Sequence, residues 1–236
     1  MLLPELFLAS RASQVEHTSG LDSFIECKNK AHYLAYPHAI IYQFNSRGFR
    51  DREWPINAQS AIWCVGDSFT VGLGSPVDHI WARQVELTCK QPTINVSLDG
   101  ASNDWIARQA RNIIRAVQPR NMIIMWSYVH RREDTDANLS DEDRRISSLD
   151  GATELDDQIN IRTCVNSLKG SSTNIVHFIV PFAYADLYNN NTVTSEDWPP
   201  RYINKVTQLD YSRDGHHFDI LTSQQVAQQA ASKLIL

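Results

Sequence analysis

Three short apolar runs fail to alternate, and this constrains the fold more than anything else in the chain. They are AIWCV at 61–65, MIIMW at 122–126 and IVHFIV at 175–180, with TINV at 93–96 as a further candidate strand. A strand with one wet face shows an apolar–polar rhythm; a strand covered on both faces does not. Helical periodicity separates the runs. Residues 80–89 suit a helix, and Trp105, Ile106, Gln109, Ala110, Ile113, Ile114 and Val117 recur at three- and four-residue spacing until Pro119. A weaker helix is expected over 155–168, closed by Gly170. A C-terminal one over 220–236 carries Val226, Ala227, Ala230, Ala231 and Leu234 on one face. Strands alternating with helices predict a parallel sheet with helices on both sides, a single-domain α/β/α sandwich over 61–236. Residues 1–60 read as an irregular lead-in with aromatic anchors, packed on that body. In such sheets ligands bind beyond the carboxyl ends of the strands. Chemistry is therefore expected just after Val65, Val96, Trp126 and Val180.

Composition narrows the class. At 236 residues, 42% hydrophobic and 21% charged, the chain is long enough for a sizeable core and unlike a disordered segment. A net charge of −5 gives no global basic field for nucleic acid. No apolar run reaches the ~18 residues of a membrane span. The opening MLLPELFLAS has no basic residue before its apolar stretch and is broken by Pro4 and Glu5, so it reads as a packing segment rather than a secretory leader. A cytoplasmic location follows as the expectation, with export by another route left open. Cys27, Cys64, Cys89 and Cys164 form no CxxC pair and read as reduced thiols.

The first run ends in Gly66-Asp67-Ser68. A serine at a strand-to-helix turn presents its hydroxyl at the sheet edge, where the turn's N–H groups face any developing oxyanion. The plainer reading is a helix N-cap made by Asp67 or Ser68. Near the other end, Asp214-Gly-His-His217 precedes the C-terminal helix. A serine needs a base to take its proton, and a carboxylate on the other imidazole nitrogen fixes the tautomer. One loop carrying Asp214 and His217 supplies both. Two other readings compete. Asp214, His216, His217 and Asp219 are clustered enough to suggest a metal, although no third element completes a zinc site; a polar loop with no role is the other.

Ser68, Asp214 and His217, in that order and spacing, resemble the SGNH (GDSL-type) hydrolases, which carry a GDS block and a C-terminal DxxH block. Asn45-Ser-Arg-Gly-Phe-Arg50 is similar to a segment upstream of the GDS block in some members. The likeness covers about residues 40–236 and implies a flavodoxin-like fold and ester hydrolysis through an acyl-serine. It assigns the nucleophile to Ser68, the base to His217 and the orienting acid to Asp214, and one oxyanion N–H to Gly100 beside that of Ser68. The family's Gly-x-Asn-Asp after the third strand is replaced by Trp126-Ser-Tyr-Val-His-Arg-Arg-Glu133. Ser127 or Tyr128 then donates instead, Asn103 serves unless it caps the helix before Trp105, or two backbone N–H groups suffice.

The charged stretch from Arg131 to Asp157 reads as a solvated loop or a cover over the site. Trp198-Pro-Pro200 and Tyr202 read as a substrate platform or as core. The expected function is hydrolysis of a small acyl ester, including O-acetyl groups on carbohydrate, without metal or cofactor and without nucleic-acid or membrane partners. Acyl transfer by the same triad is one alternative. A non-catalytic carbohydrate-binding module on a degenerate scaffold is the other. Oligomeric state, acyl length and alcohol partner have no signature in the sequence.

Overall fold

A computed structural model describes residues 6–17, 22–23, 34, 36–133, 153–181 and 202–236. Its main sheet has five parallel strands. In chain order, β1 (Val15–Glu16) and β2 (Tyr42–Gln43) form a small antiparallel pair. Then come β3 (Ile62–Gly66), α1 (Ser68–Val71), α2 (Trp81–Cys89), β4 (Thr93–Ser97) and α3 (Asn103–Val117). The chain continues with β5 (Asn121–Trp126), α4 (Glu154–Asn166), β6 (Asn174–Ile179), β7 (Ile203–Lys205) and α5 (Ile220–Ala231). The strand order is β4-β3-β5-β6-β7.

The non-alternating runs are strands for the reason expected. Every residue of β3, β4 and β5 is buried, because α2 pairs with α5, α3 pairs with α4, and the pairs cover opposite faces. Burial loosens outward through β6 to β7. At three residues, one fully buried, β7 is too short and too polar to stand out as a strand in the sequence. The order reverses at β3: the chain moves from β3 to β4 on one side and then to β5 on the other. This is the switch point at which a doubly wound sheet opens a crevice.

Local signals set the helix ends. Ser102 caps α3, its hydroxyl accepting from Trp105 N–H at 3.2 Å, so Asn103 is the first helical residue and not the cap. Thr153 and Asp156 form a reciprocal capping box that starts α4 at Glu154. The C-terminal helix stops at Ala231, short of the expected end.

Within the first sixty residues, Leu6, Leu8, Ile40, Tyr42 and Phe49 are buried. Gly48 sits at φ +85°, and a Cβ there would stand 2.2 Å from the Leu8 carbonyl oxygen. Only glycine accommodates that approach. The edge strand β4 is met by side chains rather than by another strand. Thr93 N–H donates to Glu86 at 3.1 Å and Asn95 N–H to Asp51 at 2.8 Å. Arg83 pairs with both carboxylates. Cys64, Cys89 and Cys164 are free thiols, and Cys27 lies outside the described residues. No helix among the described residues is long and apolar enough to cross a membrane.

Candidate active site

The chain leaves β3 through a tight turn. Gly66 has no room for a side chain: a Cβ would lie 2.1 Å from Thr70 Oγ1 and 3.0 Å from the Met125 carbonyl oxygen. Asp67 then caps α1, its Oδ1 accepting from Phe69 N–H at 3.0 Å. This cap is the plainer reading of the GDS tripeptide. It coexists with a buried Ser68 at the first helical position, 3% exposed.

The Asp214 loop lies against this turn. His217 Nδ1 is 2.6 Å from Asp214 Oδ2, with both residues buried. The other oxygen, Oδ1, accepts from His216 N–H at 2.8 Å, His217 N–H at 3.0 Å and Ser212 Oγ at 2.8 Å. The carboxylate is therefore fixed on both sides, and its second oxygen faces the imidazole. The Phe69 ring, next to Ser68 in sequence, packs on His217 with centroids 4.5 Å apart. The two blocks thus meet at one edge of the sheet.

Burial works to push the Asp214 carboxyl up, but the bonds from His217, the His216 N–H and Ser212 outweigh it and hold the group at about 2. The sign of the pH effect follows. A carboxyl lowered on folding contributes stability above its unfolded value of 3.8 and loses that contribution as pH falls through about 2. The stability gap between the parent and Asp214→Asn should stay near roughly 2 kcal/mol from pH 7 to 5. It should narrow between about pH 4 and 2. Urea unfolding at a series of pH values checks this, and a gap that widens on acidification contradicts the assignment.

A second group of side chains surrounds the turn, and sequence reasoning missed most of it. Asp67 is fully buried, and Ser127 Oγ donates to its Oδ2 at 2.5 Å. Arg131 Nη1 reaches the same oxygen at 3.4 Å and Ser127 Oγ at 3.2 Å. Burial raises the Asp67 carboxyl pKa; Arg131 and the Ser127 bond oppose the rise. The Arg131 guanidinium lies 4.7 Å over the Tyr128 ring, and Tyr128 Oη is 2.8 Å from His216 Nε2. His216 is thus tied to the rim, while His217 is tied to Asp214. Burial, then the neighbouring His217, lowers the His216 pKa.

The expected oxyanion donors separate. Ser127 has both its donors engaged: its hydroxyl bonds Asp67 and its N–H bonds Asn103 Oδ1 at 2.9 Å. It serves to hold Asp67. Asn103 bridges to the same loop, its Nδ2 donating to the Tyr128 carbonyl at 3.1 Å. Gly100, at φ +72°, lies in the turn after β4.

The charged stretch from Arg131 is paired rather than solvated at its first residues, while Thr153, Leu155 and Asp156 near its other end are exposed as expected. Arg131 binds Asp67, and Arg132 is buried and paired with Asp157, because carboxylates wait for both in the fold. Residues 134–152 and Trp198-Pro-Pro200 lie outside the described residues. Tyr202 is half exposed, edge-on to His177 at 6.2 Å. Asp219 turns away from Asp214 to His79 at 2.9 Å and Ser75 at 2.9 Å, so the four-residue metal cluster is not gathered. Among the described residues no group of three His, Cys, Asp or Glu is placed to hold a metal ion.

No family model and no curated protein matches the chain. Solved structures do. A G-D-S-L family protein from Desulfitobacterium hafniense DCB-2 is 15% identical with a TM-score of 0.49, over 74% of this chain and 99% of that one. A family 3 carbohydrate esterase from Clostridium thermocellum is 14% identical with a TM-score of 0.40, over 72% and 92%. A lipase/acylhydrolase from Enterococcus faecalis is 13% identical with a TM-score of 0.40, over 75% and 97%.

Proposed function

We propose that this protein is a serine ester hydrolase of the SGNH (GDSL-type) family, with Ser68 as nucleophile, His217 as base and Asp214 as the acid that orients the base. The observation that carries the reading is the buried 2.6 Å contact between His217 Nδ1 and Asp214 Oδ2, on a loop packed against the Ser68 turn through Phe69. A carboxylate on Nδ1 places the proton there and leaves Nε2 free to accept.

In the acylation step Ser68 Oγ attacks the ester carbonyl carbon while its proton passes to His217 Nε2. The carbonyl π electrons move to oxygen, forming the tetrahedral oxyanion. That charge is met by the peptide N–H groups of Ser68 and Gly100, with Asn103 as a third candidate, since its amide has two N–H bonds and spends one on Tyr128. Collapse re-forms the carbonyl, breaks the bond to the alcohol oxygen and returns the proton from Nε2 to the leaving group. Water, deprotonated by His217, then attacks the acyl-serine; the acyl–Oγ bond breaks to release the acid, and Nε2 returns the proton to Ser68 Oγ. The substrate proposed is a small acyl ester, free or carried on a carbohydrate.

A fluorophosphonate probe tests the nucleophile directly. Intact mass should show one adduct on the parent protein, peptide mapping should place it on Ser68, and Ser68→Ala should take up none. An unlabelled parent protein that also cleaves neither p-nitrophenyl acetate nor acetylated sugars would mark a binding module instead.

A further inference from the structure

The Asp214 loop does not hold its position by its own bonds alone. Its seat is Gly74, in the loop after α1, where φ is +74° and a Cβ would lie 2.9 Å from Asp214 N and 3.0 Å from Asp214 Cγ. The two backbones therefore touch at the position of the carboxylate. A closed buried circuit fixes the Gly74 peptide from both ends. Its N–H donates to Tyr42 Oη at 2.8 Å. Tyr42 O–H donates to Asp22 Oδ2 at 2.7 Å, and that same oxygen faces Arg213 Nη2 at 3.4 Å. Arg213 N–H closes the circuit on the Gly74 carbonyl at 2.9 Å. Arg213 is also the residue before Asp214.

The members are taken out of water together: Asp22, Tyr42 and Arg213 are all buried. Arg50 closes the other side. Its guanidinium lies 4.1 Å over the Tyr42 ring and donates to the Val71, Gly72 and Ser75 carbonyls at 3.0, 2.6 and 2.8 Å. Burial raises the phenol pKa of Tyr42, which keeps its hydroxyl protonated and donating.

We infer that Tyr42 is a positioning residue for the Asp214–His217 pair, acting through the Gly74 peptide on which Asp214 rests. A hydrogen bond of 2.6 Å between ring and carboxylate tolerates little displacement, and misplacement by ~1 Å at such a site costs about a hundredfold in rate. Segments from before the sheet thus enter the geometry of the acid–base pair without touching the reacting atoms. The consequence for rate rests on the serine-hydrolase reading; the consequence for geometry does not.

Tyr42→Phe removes the hydroxyl and keeps the ring over Arg50. The readout is the downfield proton resonance of the His217 Nδ1–H bonded to Asp214, which a merely stabilising Tyr42 leaves unchanged. It should shift or broaden in Tyr42→Phe, with the fold retained by circular dichroism. The fluorophosphonate labelling rate of Ser68 should fall about tenfold or more. In an Asp214→Asn background the same substitution should have no further effect, because the group it positions is already changed. Asp22→Asn, which keeps the shape and removes the charge, should move the resonance in the same sense and serves if Tyr42→Phe fails to fold. An unchanged resonance in a folded variant overturns the inference, as does full multiplicativity with Asp214→Asn. A parent protein that shows the resonance yet never labels defeats the serine-hydrolase reading alone.

Discussion

His217→Ala should abolish ester cleavage, lowering turnover by ~10⁴-fold, whereas His216→Ala should lose only about tenfold. The neighbours differ in what their rings meet. The His217 ring is buried with Nδ1 on Asp214, while the His216 ring is exposed at the rim with Nε2 on Tyr128 Oη. Both backbone N–H groups bond Asp214 Oδ1, and alanine keeps those bonds, so neither substitution removes the loop's own frame. Removing the His217 ring takes away the proton acceptor; removing the His216 ring frees Tyr128 and perturbs the rim. Steady-state hydrolysis of p-nitrophenyl acetate, with circular dichroism to confirm folding, separates them. A dead His216→Ala beside a near-normal His217→Ala would reverse the assignment.

Asp67→Ala should cost about 3 kcal/mol of stability, since it removes a fully buried carboxylate that faces the part-buried Arg131 together with a helix cap. Asp67 is the cap of α1, the acceptor for Ser127 and the carboxylate facing Arg131. With the carboxylate gone, the guanidinium loses its counter-charge and Ser127 its acceptor. For a chain of this length that loss corresponds to a fall in Tm of about 6–12 °C. Asp67→Asn, which preserves the cap acceptor, should lose less. Calorimetry on the two variants decides the matter: equal losses would locate the cost in the charge pair alone, and a loss below about 1 kcal/mol in Asp67→Asn would remove the charge pair from the account.

The strands and helices of the sheet layer could be read from the chain because burial on both faces and helical periodicity are properties of neighbouring residues. The Asp214–His217 contact could be read because it closes within one loop. The group around Asp67 could not. Ser127 and Arg131 lie 60 and 64 residues away in sequence, and only the β3–β5 pairing brings them to the turn. The Tyr42–Asp22–Arg213 circuit joins partners up to 191 positions apart, from segments with no periodicity. Ser127 follows a strand and so reaches the turn, but its two donors are claimed by Asp67 and Asn103. Position in the chain says which residues reach a site; it does not say which of their protons are spent.

Strand β4 has a consequence for how large this sheet can become. An outer strand normally leaves a row of open donors that a second polypeptide can adopt as its own hydrogen-bonding template. Here two of those donors, on Thr93 and Asn95, already bond carboxylates from Glu86 and Asp51. An incoming strand would have to displace two anions held by Arg83 and offer peptide carbonyls, weaker acceptors, in exchange. Two of the outward donors of β4 are therefore already occupied, and growth by strand addition on that side is disfavoured as long as the two acids stay charged.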